Sequence, residues 1–217
     1  MSHHGFRRDI ARFAIALRRP PALDAGRAAA LDAEWRSYRA TLHGHHEAED
    51  KGLFPSLVAR DPSLAPVVGQ LGADHRRIDP LLEAGDRAFA DLGADDAAAA
   101  AVVAELAALL DAHLATEEAS VIQHIRPAKQ FPAPATDAEA DLFAQGFAWA
   151  SFGVAADVIA RVDEMLPPIL TARLPAARAA FDERSRRVWG PTPPGASRTA
   201  LPDWLDDDGG TVTAAGR

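Results

Sequence analysis

Four successive segments of the chain carry apolar side chains at alternating steps of three and four, the spacing that keeps residues on one face of a helix packed in a bundle. The first stripe reads His3, Phe6, Ile10, Phe13, Leu17; the second Leu31, Trp35, Tyr38, Leu42, His45, Glu49. The third reads Leu64, Val68, Leu71, His75, Ile78, Leu82, and the fourth Leu106, Leu110, His113, Glu117. Val, Ile and Thr nowhere alternate with polar residues over a useful length, so strands are not expected. The fold class read from this pattern is all-α: an up-down-up-down four-helix bundle with a C-terminal two-helix extension.

Prolines and capping residues mark the segments. A first helix over about 2–17 ends at Pro20 and Pro21, which cannot continue it. A second follows Asp24, a good cap, to about 54, where Pro55 should bend or end it. A third runs from near Ser63 to about 90, with Pro80 inside it. A fourth follows the Gly93–Asp96 turn to about 125 and stops at Pro127. These segments make a bundle over 1–127, followed by a Pro-rich linker over 128–135. Thr136, with Glu139 three residues on, starts a further helix expected to reach Met165; Pro167 and Pro168 separate it from a last helix ending near Trp189. Residues 136–190 are thus a helical extension, and 191–217, rich in Pro, Gly and Asp, read as a flexible tail.

Every stripe contains a His, and two continue into a Glu one turn later. Polar residues on a core stripe cost stability unless they are paired or bind something. In an up-down-up-down bundle the first and third helices leave the end at which the second and fourth arrive. His3 lies at the start of the first, His45 and Glu49 near the end of the second, His75 in the first half of the third, and His113 and Glu117 near the end of the fourth. All six converge on one end. The chain has no Cys, which excludes disulfides, iron–sulfur clusters and thiolate sites, so a metal here would be held by nitrogen and oxygen. Four imidazoles and two carboxylates suit iron, manganese or zinc, with iron best fitted to redox work. One His-x-x-x-Glu spacing is a weak signal; two, opposite two further His, are a strong one.

The residues that carry this pattern resemble the hemerythrin family, the HHE cation-binding domains. His45-His46-Glu47-Ala48-Glu49-Asp50-Lys51-Gly52-Leu53-Phe54-Pro55 is similar to the family's second-helix motif, His113-Leu114-Ala115-Thr116-Glu117-Glu118 to its fourth, and His3-His4-Gly5-Phe6-Arg7-Arg8 to its first. The resemblance covers roughly residues 3–125 and implies a four-helix bundle holding a non-heme di-iron centre, two irons per chain. Carried over by position, the metal ligands are His3, His45, Glu49, His75, His113 and Glu117. Oxygen-carrying hemerythrins place two His four apart on the third helix, whereas His75 has Leu71 before it and Asp79 after it. Either one iron keeps an open position or Asp79 replaces the His, and this departure favours redox or sensing chemistry over oxygen carriage. A spacing of five on the fourth helix would select Glu118; the stripe favours Glu117.

Other titratable residues are expected outside the site. His4, His43 and His46 lie off the stripes and read as solvated, His124 as a helix-end residue, and Glu47, Asp50 and Glu118 as a hydrated acidic face. Tyr38 reads as core. Phe143, Phe147, Trp149 and Phe152 spread around their helix and read as a face packed on the bundle or a dimer contact. No nucleotide-binding glycine loop and no hydrolase triad is present.

The implied function is binding of, or reaction with, dioxygen, peroxide or nitric oxide, in oxygen or redox sensing, iron handling or peroxide removal. The alternatives are a di-iron oxidoreductase acting on an organic substrate and a metal-free or zinc-bound helical interaction module. A net charge of −8 speaks against nucleic-acid binding. Arg7, Arg8, Asp9 and Arg12 interrupt any N-terminal signal core, and no run of 18 apolar residues is free of charge, so neither a secretory signal nor a membrane span is expected. A cytoplasmic protein, possibly a homodimer, is the resulting expectation.

Overall fold

In a computed structural model of the chain, the described residues are 1–18, 23–125, 131 and 133–190. The stops at Pro20, Pro21 and Pro127, residues 128–130 and 132 of the linker and the tail 191–217 lie outside them. Among the described residues the structure is helical and has no strand.

The bundle is built from α1 (Ser2–Arg18), α2 (Ala25–Ala48), the short α3 (Phe54–Arg60), α4 (Ala65–Ala90) and α5 (Asp96–Ser120). Helix α1 packs on α5 and α2, and α4 packs on α5 and α2, which makes a four-helix square of α1, α2, α4 and α5. The Asp24 carboxylate accepts from the Arg27 amide at 2.8 Å and starts α2. Before α4 the capping group is Asp61, not Ser63: its carboxylate accepts from the Ser63 amide and opens a 3-10 turn, Pro62–Leu64, that runs into the helix. Helix α4 continues through Pro80 to Ala90. Asp95 caps α5 by accepting from the Ala98 amide. By length and composition alone Asp96–His124 could cross a membrane; in the fold this stretch supplies Val103, Leu106, Leu110, His113, Leu114 and Glu117 to the buried interior.

Pro55 does not end the second helix. Between α2 and α3 the chain forms a π turn, Glu49–Leu53, in which the Phe54 amide reaches the Glu49 carbonyl, five residues back. Pro55 has no amide to donate and its ring crowds the preceding turn, so a locally widened helix accommodates it.

The aromatic core lies away from the His-rich end. Phe13, Trp35 and Phe89 are almost fully buried, with Trp35 stacked on Phe89 at 4.5 Å and its indole N–H donating to Asp86 at 3.0 Å. The helix expected over 136–165 is broken in two: α6 (Asp137–Ser151) and α7 (Ala156–Glu164) flank Gly153, whose φ of +86° a residue with a Cβ adopts only with strain. Thr136 and Glu139 make the expected cap, with Thr136 Oγ1 accepting from the Glu139 amide at 3.1 Å. The short α8 (Pro168–Thr171) and α9 (Leu174–Trp189) complete the extension. Helix α6 packs on α1 and α9 on α2. The aromatic set divides accordingly: Phe143 and Phe147 pack within the extension beside Leu166 and Leu170, whereas Trp149 faces the bundle.

Candidate metal centre

Two groups of donors form at one end of the bundle, each with its ligand atoms within 4.8 Å of one another. His46, Glu49, His75 and His113 make an inner group, and His3, His45, Glu49 and Glu117 an outer one. All six residues expected from the stripes are therefore brought together. His46, expected to be solvated, is 2% exposed and belongs to the inner group.

Helix geometry explains why α2 serves both groups. At about 100° per residue, Glu49 falls about 40° past His45 and about 60° short of His46, between the two imidazoles. One carboxylate thus shares space with both groups: Glu49 Oε1 lies 3.1 Å from His45 Nε2 and Oε2 lies 3.6 Å from His75 Nε2. Helix α5 spans the groups in the same way, His113 in the inner and Glu117, one turn on, in the outer. The His75 and His113 Nε2 atoms approach to 3.3 Å, and His3 Nε2 lies 3.2 Å from Glu117 Oε2.

Outer partners orient two of the imidazoles. His75 Nδ1 lies 3.0 Å from Asp50 Oδ1, and His3 Nδ1 lies 2.9 Å from Glu118 Oε1. With Nδ1–H donated to a carboxylate, Nε2 presents its lone pair inward, an arrangement common behind metal-ligating histidines. Arg7 in turn holds Glu118 with two hydrogen bonds, at 2.6 and 3.1 Å. Asp50 and Glu118, expected on a hydrated face, are supporting residues of the site. His4 is also buried, but its Nε2 meets the Phe152 carbonyl at 3.0 Å and it joins neither group. Asp79, considered above as the replacement ligand on the third helix, is half-exposed and faces His43 at 3.5 Å. The third helix gives the inner group one imidazole, His75, and the second helix gives it another, His46, whose ring stacks on His75 at 4.0 Å.

Electrostatics divide the donors into neutral and charged. Burial pushes the His45, His46 and His113 imidazoles down, to about 4, about 2 and about 4, with neighbouring His rings adding to the effect. These three are neutral near pH 7, the form that binds metal. Burial, reinforced by Glu117, pushes Glu49 up to about 9. Burial would also raise Glu117, but the hydrogen bond from His3 and the nearby His rings outweigh it and hold that carboxyl below its ordinary value. Burial lowers His3, and Glu117 and Glu118 overcome it and raise the ring.

Whether this donor set fits a metal is answered by its unmatched atoms. His45 Nε2, both ring nitrogens of His46 and Glu49 Oε2 are buried without a hydrogen-bond partner. Each such atom costs about 1–3 kcal/mol in a purely structural core, and the residues that carry them belong to the two donor groups. Cations held by those groups would satisfy one nitrogen of each ring and the Glu49 oxygen.

A direct test follows from the geometry. His46→Ala is expected to reduce metal uptake at least as much as His45→Ala, while Asp79→Ala keeps the parental level. Metal content per chain by mass spectrometry reads the difference, and parental uptake by the His46 variant would remove that residue from the site.

Comparison with known proteins finds a family match over the bundle. The profile of the hemerythrin HHE cation binding domain matches residues 1–125. No curated relative and no solved structure matches the chain.

Proposed function

The chain belongs to the hemerythrin HHE cation-binding domain family, which matches more than half its length, and from that premise we propose a non-heme di-iron protein that binds or reacts with dioxygen, peroxide or nitric oxide. The observation that carries the proposal is the shared carboxylate: Glu49 stands in both donor groups, so two cations would sit side by side rather than in separate sites. The inner cation would be held by His46, Glu49, His75 and His113, and the outer by His3, His45, Glu49 and Glu117. Imidazole and carboxylate without thiolate suit iron, and a bound pair of irons supplies the Fe(II)/Fe(III) couple for exchange of electrons with a small oxidant.

The chain's own residues set the conditions for that chemistry. Asp50 and Glu118 fix the His75 and His3 rings by their Nδ1 atoms. Burial keeps a proton on Glu49 that bound cations would displace, so uptake would be accompanied by proton release. Phe54, stacked with His75 at 5.8 Å, and Phe6, 5.2 Å from the His45 ring, exclude water from two sides. His45 keeps 21% of its side chain exposed while His113 has none, so a small ligand meets the outer group first. The proposed setting is the cytoplasm, where Fe(II) and small oxidants meet.

The experiment is metal analysis followed by reaction. Protein expressed with iron and without an N-terminal tag is expected to hold about two irons per chain, the number its two donor groups accommodate. Anaerobically reduced protein is then exposed separately to dioxygen, hydrogen peroxide and nitric oxide. A reversible spectral change marks a carrier or sensor, and repeated peroxide consumption marks an oxidoreductase. Iron-free protein, or zinc at full occupancy after growth with iron, would overturn the proposal.

A further inference from the structure

The family match ends at residue 125, yet the extension beyond it packs on the N-terminal turns of α1, which carry His3 of the outer donor group. Helix α6 lies along the first turn of α1, where His3 is placed. Gly5, two residues after His3, faces the Trp149 indole so closely that a Cβ there would stand 2.6–2.9 Å from Cζ2, Cη2 and Cε2 of the ring. The Trp149 indole N–H donates to Asp9 at 2.7 Å, and Asp9 is gripped by Arg8 at 2.7 and 2.8 Å. Arg8 also donates to the carbonyls of Trp149 and Phe152, at 2.8 Å each. The break after α6 makes this possible: at Phe152 the chain leaves the helix, and its carbonyl serves Arg8 and His4 instead of a helical amide.

On its other side the Trp149 ring lies 5.0 Å from Phe6, and Phe6 lies 5.2 Å from the His45 ring. Trp149 therefore backs His3 through the α1 backbone and His45 through Phe6. Both belong to the outer group, whereas the three imidazoles of the inner group come from α2, α4 and α5. The first turn of a helix has no earlier carbonyls to bond its amides and frays unless something holds it. Arg8, 3% exposed, and Asp9, 8% exposed, form a buried ion pair that Arg12 of α1 joins and that the Trp149 indole and the Trp149 and Phe152 carbonyls bind from the extension, so its docking is specific.

We infer that α6 holds the outer metal position in register, with Trp149 as the positioning residue for His3 and His45. The inference rests on the proposal that the two donor groups bind cations. It makes the outer position depend on a segment outside the matched domain, while the inner position is built by the bundle alone.

Anaerobic Fe(II) titration of the full chain, with calorimetry and metal analysis, tests it on the parent, Trp149→Ala, Trp149→Phe and Leu31→Ala. Leu31 is a fully buried core residue 14 positions before His45, about 21 Å along α2, and its variant controls for general loss of stability. Trp149→Ala is expected to weaken the outer iron about 10- to 100-fold and leave the inner affinity unchanged. Trp149→Phe, which keeps a ring near Phe6 but loses the bond to Asp9, is expected to weaken the same iron by a smaller factor, and it carries the comparison if the Ala variant does not fold. Leu31→Ala is expected to melt earlier and bind both irons as the parent does. Unchanged affinities in both Trp149 variants, or equal weakening of both irons, would overturn the positioning role. A parent chain that binds no pair of irons would instead overturn the metal proposal itself.

Discussion

Glu49→Gln is expected to abolish iron uptake at both donor groups while leaving the metal-free protein at least as stable as the parent. The carboxylate is the only donor common to the two groups, so its loss removes a ligand from each. The stability effect runs the other way. In the metal-free fold Glu49 titrates near 9 against an ordinary value of 4.5, because burial and the neighbouring Glu117 penalise its charge. Between those values the folded chain binds a proton that the unfolded chain has released, so stability falls as pH rises through the window and is fully present only below it. Near pH 7 the penalty amounts to at most about 3 kcal/mol. Gln carries no such penalty. The depressed His45, His46 and His113 act in the opposite window: their neutral burial costs stability as pH falls from about 6.5 toward their folded values. Those rings are retained in the variant, and their contribution largely cancels in the comparison. Thermal unfolding of both metal-free proteins, at about pH 5 and about pH 8, should show the advantage of the variant growing with pH. An advantage that shrinks with pH, or a variant that keeps its iron, would contradict the shared-carboxylate site.

Gly85→Ala is expected to be strongly destabilising even though Ala is the better helix former. The exchange gains about 1 kcal/mol of intrinsic preference within α4. Against it, a Cβ at position 85 would lie 1.9 Å from Trp35 Cζ2 and 2.5 Å from Cε2. The indole cannot move aside: it is fully buried, stacked on Phe89 and tied to Asp86 by its N–H. Overpacking of this kind costs about 1–3 kcal/mol and occasionally more; here two rigid neighbours place it at the upper end. A net loss of about 2 kcal/mol lowers Tm by roughly 4–8 °C in a chain of this size. Trp35→Phe in the same background shortens the ring and should recover part of the loss. Gly85 lies ten residues along α4 from His75, so the iron content of the folded variant should match the parent. A Tm equal to or above that of the parent would show that the core yields where the packing says it is rigid.

The bundle was legible because it is a matter of period. Stripes such as Leu31, Trp35, Tyr38 and Leu42 repeat at a spacing only a helix can bury on one face, and these residues are buried. The convergence of His3, His45, Glu49, His75, His113 and Glu117 was legible because helix direction alternates along the chain. His46 was passed over because a narrow core seam assigns one residue per turn. A wider stripe, about 100° across, would have included it, and the adjacent pair His45-His46 with Glu49 at an intermediate angle was the available signal.

Asp50 and His4 had no such signal, and Glu118 had only the spacing of five from His113. Each lies off its stripe, and what keeps it from bulk solvent or ties it to a partner is a residue far away in the chain: His75 for Asp50, His3 and Arg7 for Glu118, and Phe152 for His4. Arg8 and Asp9 count in the sequence only as charges that interrupt an apolar signal core, yet they are buried in the fold against α6. Periodicity and chain direction, which are local properties, thus determined the helices, their order and the end at which the polar stripe residues meet. Only the tertiary structure decided which second imidazole completes the inner group, which carboxylates orient the rings and which helix seats the N-terminal turn, because those choices depend on contacts between residues that share no local pattern.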